Sequence, residues 1–227
     1  LIHLGALTDL EYCEKNIDLT YDTNTTSVKT AVKISNDLSI PLIFISTAGI
    51  FGGDKDYYND WDKPNPLNIY GKSKFLAENY IKSNKEDFLI IRAGWMMGGG
   101  IKKDKKFVKK IILQIKEGKK ELFIVNDKMG TPTYTFDFAN NVKLLLEKKH
   151  WGTFNMVCQG LTSRLEVANS IVEHFNLNDT IKVNEVDSNY FKENYFAERP
   201  LSERLINSKL DSKKINIMRN WKTCLKE

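Results

Sequence analysis

The sequence has few cysteines and no long apolar run, and each shortage excludes a class of protein. Cys13, Cys158 and Cys224 lie far apart with no paired spacing, which argues against a disulfide framework and against a zinc site. No apolar segment approaches the roughly 18 residues of a membrane span, and the apolar start at 1–6 is too short for a signal peptide. We therefore expect a cytoplasmic protein without a metal site or a membrane partner.

Acidic charge is also in short supply, because 29 acidic residues stand against 34 basic ones and leave a net charge of +5. Such an excess can indicate a nucleic-acid partner. Here much of it lies in one stretch where apolar residues, among them Phe107, Ile111 and Ile115, recur at helical spacing. The lysines of that stretch are predicted to form the solvated face of an amphipathic helix, and a rim that attracts phosphate groups is the alternative. These lysines are Lys102, Lys103, Lys105, Lys106, Lys109, Lys110, Lys116, Lys119 and Lys120.

Strand-like and helix-like segments alternate along the 227 residues, a length that supports one sizeable core and a small lobe. Segments 41–45 and 88–91 are continuous apolar runs, typical of strands buried on both faces. The alternation predicts an α/β fold with a Rossmann-like, doubly wound parallel sheet covered by helices. Further strands are predicted at 122–125, 153–157 and 181–186, and helices at 27–38, 70–83, 136–148, 163–175 and near Asp211.

The glycine-rich turn that opens a complete doubly wound dinucleotide-binding fold does not occur in this sequence. That turn, G-x-G-x-x-G after the first strand, places a pyrophosphate at a helix N-terminus. The run Gly98-Gly99-Gly100 has a different spacing and belongs to a later loop. The chain is therefore predicted to start at the fourth strand of the sheet, without about 60 residues, or two strand–helix units of the usual size.

The strongest chemical feature is the segment Tyr70-Gly71-Lys72-Ser73-Lys74. On a helix Tyr70 and Lys74 are one turn apart on the same face. A lysine ammonium beside a phenol favours the phenolate and would lower the tyrosine pKa from ~10 to near 7, about 4 kcal/mol. Such a tyrosine can exchange a proton with a substrate oxygen at neutral pH. The alternative is a surface Tyr and Lys, since Y-x-x-x-K often arises by chance.

A hydroxyl pair, Ser46-Thr47, follows the first apolar run at the point where that strand is predicted to end. Open α/β sheets bind their ligands at this carboxyl edge. A hydroxyl there can hydrogen-bond the same substrate oxygen that Tyr70 protonates, whereas the alternative role is to cap a turn. The arrangement as a whole is far more specific than any of its parts. It consists of a strand, a hydroxyl, a loop of about twenty residues, and then Tyr and Lys on a helix.

These residues, with Glu78 after them, resemble the S-T/S…Y-G-x-S-K…E pattern of the extended short-chain dehydrogenases/reductases. Further segments resemble the dTDP-4-dehydrorhamnose reductase family in particular, in the right order over nearly the whole chain. The segment 4–8 resembles its Ala-rich strand end, 66–71 its P-x-N-x-Y-G, 92–95 its R-T-S-W, 130–137 its G-x-P-T-x-x-x-D, and 199–210 its R-P…D-x-S-K-L.

The resemblance implies a cofactor, NADP or NAD, and a nucleotide-sugar substrate. It assigns catalysis to Thr47, Tyr70 and Lys74, and Tyr70 and Lys74 would also hold the cofactor. The same resemblance places Gly5, Ala6 and Ala93 along the cofactor, and Thr8 and Trp95 at the substrate. For Trp95 an ordinary core position is the alternative.

The resemblance also implies two lobes. Residues 1–95 would be the remainder of the dinucleotide-binding domain, and 96–227 mainly a smaller C-terminal α/β substrate-binding lobe, with 122–157 returning to the main sheet. A homodimer is a further expectation. We also expect these 227 residues alone to be poorly soluble and to bind NAD(P)H weakly, because an apolar sheet edge would be open and the phosphate-binding turn lacking.

The sequence departs from the family at one point that bears on function. Ala48 and Gly49 follow the catalytic Thr, where the reductases usually carry Asp and Tyr that contact substrate. Reduction of a 4-keto nucleotide-diphosphate sugar in polysaccharide biosynthesis is the leading hypothesis. Thr-Ala is more similar to the epimerases, so a nucleotide-sugar epimerase with the same trio remains open. A catalytically silent, cofactor-binding regulatory homologue is the third alternative.

Overall fold

The computed structural model describes residues 1–100, 104 and 106–227, and its elements alternate as the sequence predicts. Lys102, Lys103 and Lys105 of the predicted lysine face lie outside these residues. The strands are β1 Ile2–His3, β2 Leu42–Thr47, β3 Phe88–Ala93, β4 Trp95–Met97, β5 Glu121–Val125, β6 Met129–Gly130, β7 Pro132–Tyr134, β8 Gly152–Asn155, β9 Thr162–Ser163, β10 Lys182–Val186 and β11 Ser202–Glu203. The helices are α1 Leu10–Lys15, α2 Ile17–Tyr21, α3 Ser27–Asp37, α4 Ile69–Asn84, α5 Phe107–Lys116, α6 Thr135–Glu147, α7 Arg164–His174, α8 Ser208–Ser212 and α9 Trp221–Leu225.

The main sheet is parallel and has the strand order β1-β2-β3-β8. This confirms the predicted α/β class with a parallel sheet. Strands β2 and β3 run in register to the last pair, Thr47 opposite Ala93. Because both strands end at the same edge, the residues that follow them are brought together there.

Both faces of the main sheet are covered, as the unbroken apolar runs of β2 and β3 require. Successive residues of a strand point to opposite faces. Leu42 and Phe44 of β2 accordingly pack with α3 and α4 on one side. Ile43 belongs to the core on the other side, which includes Phe138 and Leu145 of α6.

The segment 122–157 returns to the main sheet only through β8. Strand β5 pairs instead with β10, in a separate parallel pair from Glu121–Lys182 to Val125–Val186. The segment thus reaches the main sheet at β8, while β5 lies outside that sheet. The physical reason is visible in its burial, which alternates along the strand, whereas a central strand of a sheet covered on both faces is buried continuously.

Two features bear on cofactors and membranes. In the ranges that the structure describes, no helix has the length and hydrophobicity that a bilayer crossing needs. In the same ranges no cluster of three or more His, Cys, Asp or Glu side chains is arranged to hold a metal ion. The three cysteines are free and buried.

Candidate active site

Thr47 ends β2 at the carboxyl edge of the main sheet and is half-buried. Its hydroxyl oxygen accepts a hydrogen bond from the backbone N–H of Gly49 at 3.1 Å, so it caps the short 3₁₀ turn over Ala48–Ile50. The same hydroxyl lies close enough to the Tyr70 phenol to lower its pKa through a hydrogen bond. The Thr47 side chain thus caps the turn and also lies close to the Tyr70 phenol.

The start of helix α4 places Tyr70 beside Thr47. Asn68 caps the helix by accepting a hydrogen bond from the N–H of Gly71 at 2.8 Å, and its amide donates to the carbonyl of Glu198 at 2.8 Å. Gly71 has no side chain, and a Cβ there would lie 2.3 Å from the carbonyl oxygen of Gly49. Any other residue at 71 would push the first turn away from the 3₁₀ turn, and Tyr70 with it.

The predicted effect of Lys74 on Tyr70 is not what the structure shows. Burial raises the pKa of Tyr70 to about 12, against the lowering effect of the Thr47 hydrogen bond, and the carboxylate of Glu203 raises it further. The Lys74 Nζ lies 3.9 Å from the centroid of the Phe44 ring, on the inner side of α4. The expected pKa near 7 for the phenol is therefore wrong here, because burial outweighs any neighbouring positive charge. The phenol is protonated at neutral pH.

Lys74 itself is the strongly perturbed cation of this helix, with only 3% of its surface exposed. Burial lowers its pKa to about 7, and the carboxylate of Glu78 opposes that shift. Its charge in turn contributes to a lowered pKa of His3, whose main cause is again burial. Lys74 and His3 are thus neighbours at Phe44, which pairs with His3 and lies under the Lys74 ammonium.

The pKa of Lys74 predicts how stability changes with pH. An unfolded lysine keeps its proton up to about pH 10.4, whereas the folded chain releases it near 7. The unfolded state therefore binds more protons above pH 7, and the free energy of unfolding should rise with pH, by about 1 kcal/mol per unit between pH 7 and 8.5. Lys74→Met should remove that rise. Urea unfolding at several pH values measures it, with the exposed Lys72→Met as control; equal slopes in the two variants would contradict the assignment.

Asn24 connects two elements near the site through its side-chain hydrogen bonds. It is fully buried in a π-helical turn at 22–26. Its side chain exchanges hydrogen bonds with the backbone of Leu7, at 2.8 and 3.0 Å, and donates to the hydroxyl of Ser73 at 3.0 Å. Asn24 therefore ties the loop after β1 to helix α4. A π-turn is a frequent mark of functional sites, but no local sequence pattern announces it.

The residues predicted to line the cofactor lie at the ends of β1 and β3. Gly5 and Ala6 follow β1; Gly5 is exposed, and a Cβ there would meet only the His3 ring at 3.9 Å. Ala93 is buried opposite Thr47. Gly94 then lets the chain enter β4, since a Cβ there would lie 2.0 Å from the carbonyl oxygen of Thr131. The structure brings Ala93 to the same edge as Thr47 and Tyr70.

Trp95 lies partly exposed, in contact with charged side chains from two distant segments. Its indole Nε1 donates a hydrogen bond to Oε2 of Glu203 at 2.9 Å. The guanidinium of Arg164 stands 3.8 Å from its ring centroid and 4.6 Å from that of Phe107. A Cβ on Gly130 would lie 2.2 Å from the indole, so the ring rests against glycine backbone. Trp95 is thus unlike a core tryptophan, and its contact with substrate stays a prediction.

A small three-stranded sheet, with the order β11-β6-β9, holds these partners. Glu203 pairs with Gly130, and Gly130 pairs with Thr162, so the carboxylate and the start of α7 flank the glycine under Trp95. We call the region where Thr47, Tyr70, Trp95, Arg164 and Glu203 lie near one another the candidate cleft. Sequence reasoning missed Arg164 and Glu203, because neither lies in a motif with a recognisable spacing.

Positive charge gathers at the candidate cleft. Burial lowers the pKa of Arg164 to about 10, and the charge of Arg199 contributes to the lowering. Burial also lowers the pKa of Lys106, and the positive charge of Arg164 contributes to that lowering. Lys106 donates a hydrogen bond to the hydroxyl of Thr8 at 3.2 Å, and Arg199 forms an ion pair with Glu11 at 2.7 Å. Lys106 therefore belongs to the rim of the cleft, and Thr8 lies beside it.

Several known proteins are similar to this chain in sequence, and some of them are also similar in fold. The chain is 33% identical over 182 residues to the spore coat polysaccharide biosynthesis protein SpsK of Bacillus subtilis, covering 80% of this chain and 62% of that protein. The crystal structure of dTDP-4-dehydrorhamnose reductase from Yersinia enterocolitica superposes with a TM-score of 0.92 at 32% identity, over 99% of this chain and 78% of the other. The reductase from Bacillus anthracis, solved in complex with NADP, superposes with a TM-score of 0.91 at 29% identity, over 99% and 77% of the two chains.

The extent of these matches settles the family. The chain spans 62% of the length of the SpsK protein, and its solved neighbours are Rossmann-like enzymes of the extended short-chain dehydrogenase/reductase type. The model of one family, described as the RmlD substrate binding domain, matches residues 1–227. Because that match runs from the first residue to the last, the chain belongs to the RmlD substrate binding domain family.

Proposed function

We propose that this chain carries the catalytic and substrate-binding residues of an NADP- or NAD-dependent reductase that acts on a 4-keto nucleotide-diphosphate sugar. The observation that carries the proposal is the Thr47–Tyr70 pair at the carboxyl edge of the main sheet, with Lys74 one turn along the same helix. The similarity to reductases of dTDP-4-dehydrorhamnose supports the same class of substrate.

The residues at the ends of β1 and β3 suit the cofactor. Gly5 leaves the backbone after β1 open to a neighbouring group, since a Cβ there would have only one contact within 4 Å. Ala93 presents a small side chain beside Thr47. Gly5, Ala6 and Ala93 would line the cofactor, Lys74 would hold its ribose, and the bound nicotinamide supplies a hydride to the keto carbon.

Thr47 and Tyr70 would handle the oxygen of the keto group. Thr47 donates a hydrogen bond that polarises the carbonyl, and Tyr70 gives its phenolic proton to the oxygen as negative charge develops there. A phenol whose pKa is raised to about 12 keeps its proton at neutral pH, which suits a proton donor. Each of these roles needs only the hydroxyl groups that meet at this edge of the sheet.

The cations at the rim would bind the diphosphate of the nucleotide. The charge of Arg199 helps to lower the pKa of Arg164, and the charge of Arg164 helps to lower the pKa of Lys106, so Arg164 lies close to both of the other cations. A guanidinium forms paired hydrogen bonds with phosphate oxygens, and an ammonium adds a compact charge. This arrangement favours a substrate with a charged diphosphate over a free sugar.

A nucleotide-sugar epimerase is the second candidate. It is favoured by Ala48-Gly49 after the catalytic Thr, because Thr-Ala is more similar to the epimerases than the Asp and Tyr that the reductases usually carry there. Both candidates use Thr47, Tyr70 and Lys74, so only the reaction separates them. A silent regulatory homologue would bind cofactor without turnover of either kind.

The experiment that tests the proposal measures NADPH and NADH oxidation by the purified protein against a panel of 4-keto sugar nucleotides. A reductase consumes one cofactor for each sugar reduced. An epimerase oxidises a hydroxyl carbon and reduces it again, so with oxidised cofactor it interconverts the matching 4-hydroxy sugar nucleotides without net consumption of cofactor. That outcome would replace the proposal by the second candidate. Cofactor binding without either reaction would leave the regulatory homologue.

Trp95→Ala is expected to raise the KM for the sugar nucleotide by about tenfold, because an aromatic wall of the site and the hydrogen bond to Glu203 are lost together. Steady-state kinetics at saturating cofactor measure the effect. Trp151→Ala is the matched control, since Trp151 is also half-buried but precedes β8 at the opposite edge of the sheet. An unaltered KM in Trp95→Ala would make Trp95 a packing residue.

A further inference from the structure

Glu203 presents a fixed carboxylate to the candidate cleft. Strand β11 holds its backbone in register with Gly130, and the indole of Trp95 donates to its Oε2 at 2.9 Å. The side chain is half-buried, and within the described residues only this one oxygen of the carboxylate accepts a hydrogen bond. The orientation of Glu203 is therefore set by Trp95, while Oε1 has no donor among those residues.

The free oxygen lies close to Gly49 and to the Thr47 hydroxyl. A Cβ on Gly49 would lie 3.3 Å from Oε1 of Glu203 and 3.4 Å from the hydroxyl oxygen of Thr47. The two oxygens thus lie on the same side of Gly49, and a side chain at residue 49 would press against both of them. A substrate oxygen held by Thr47 and Tyr70 would bring its neighbouring ring substituent towards Oε1 of Glu203.

The charge of Glu203 acts on both sides of the cleft. Its carboxylate contributes to the raised pKa of Tyr70, and it opposes the lowering of the Arg164 pKa by burial. In the described part of the chain Glu203 has no ion pair within 4 Å. A half-buried carboxylate with one free oxygen is a strong acceptor for a hydroxyl donor.

We propose that Glu203 is a specificity-determining residue that accepts a hydrogen bond from the sugar hydroxyl next to the keto carbon. The inference rests on the proposed function, in which Thr47 and Tyr70 hold the keto oxygen. In a 4-keto pyranose, C5 is bonded to the ring oxygen, so the neighbouring carbon that carries a hydroxyl is C3. The free Oε1, which lies on the same side of Gly49 as the Thr47 hydroxyl, accordingly selects substrates that keep the C3 hydroxyl.

The test compares a 4-keto sugar nucleotide with its 3-deoxy analogue in the wild-type protein and in Glu203→Gln. The wild type should favour the hydroxyl-bearing compound by about tenfold to a hundredfold in kcat/KM, as expected for a hydrogen bond to a charged acceptor. In Glu203→Gln the amide oxygen can still accept from Trp95, but the negative charge is lost, and the preference should fall by about tenfold. Glu173→Gln, an exposed carboxylate on α7, is the matched control.

The discrimination ratio separates recognition from a merely structural role, because a distorted site would lose both compounds equally. Equilibrium binding of the same two compounds to Tyr70→Phe gives the ratio without turnover. If the wild type turns over neither compound, the proposed reductase function fails, yet the binding ratio still tests Glu203. A ratio near one in wild-type binding, or an equal ratio in Glu203→Gln and the wild type, would overturn the inference.

Discussion

Tyr70→Phe is expected to lower turnover by roughly 10²- to 10⁴-fold, the usual contribution of a general acid, while cofactor affinity stays nearly unchanged. The substitution removes only the phenolic oxygen, and the ring still fills its place at the start of α4. The substitution removes the proposed proton donor. Thr47 can still polarise the carbonyl, but it does not supply a second acid in a suitable position. Single-turnover rates and cofactor titration measure the two quantities separately.

Tyr80→Phe is the control for this prediction, because Tyr80 lies on the same helix and is half-buried. It should keep full activity. If Tyr70→Phe retains more than a few per cent of the wild-type rate, Tyr70 is not the acid, and a water or another side chain must supply the proton.

Glu78→Gln is expected to destabilise the fold by about 3–5 kcal/mol, the usual cost of leaving a buried charge without its partner. Glu78 and Arg92 are both buried, and the guanidinium donates two hydrogen bonds to the carboxylate, at 2.8 and 3.1 Å. Burial opposes the charged form of Glu78, yet Arg92 holds its pKa below the ordinary value. Urea denaturation at pH 7 measures the loss.

The chain offers an internal control for that loss. Lys82 also contacts Glu78, at 3.1 Å, but its side chain is 35% exposed. Lys82→Gln should therefore cost less than about 1 kcal/mol, as exposed ion pairs do. The double variant Glu78→Gln/Arg92→Met should recover part of the stability of Glu78→Gln, since no buried charge is then left unpaired. Equal losses for Glu78→Gln and Lys82→Gln would show that burial does not set the strength of this pair.

This ion pair also explains how the catalytic helix is held. Glu78 lies one turn beyond Lys74 on α4, and Arg92 directly precedes Ala93 on β3. The pair therefore joins the helix that carries Tyr70 to the strand that ends beside Thr47. Sequence reasoning placed Glu78 and Arg92 within family motifs, but only packing shows that they meet.

The long elements, and the placement of Thr47 at a strand end with Tyr70 and Lys74 one turn apart on a helix, could be predicted because their signals are local. Apolar runs predict β2 and β3, helical spacing predicts α4, and the predicted bounds differ from the observed ones by at most a few residues. A strand end and an i, i+4 pair are likewise properties of short segments. The order of these segments along the chain was enough to predict a parallel sheet.

The short strands β4, β6, β7, β9 and β11 could not be predicted, because a segment of two or three residues has no periodicity of its own. β6, β9 and β11 exist through their pairing with one another, and this pairing brings Glu203 to Trp95 across 108 residues of chain. The pKa values of the site residues could not be predicted from the sequence either. The i, i+4 spacing suggested that Lys74 lowers the pKa of Tyr70. In the structure, burial raises the pKa of the Tyr70 phenol and lowers the pKa of the Lys74 ammonium. Desolvation depends on everything packed around a group, and that neighbourhood is assembled only when distant segments fold together.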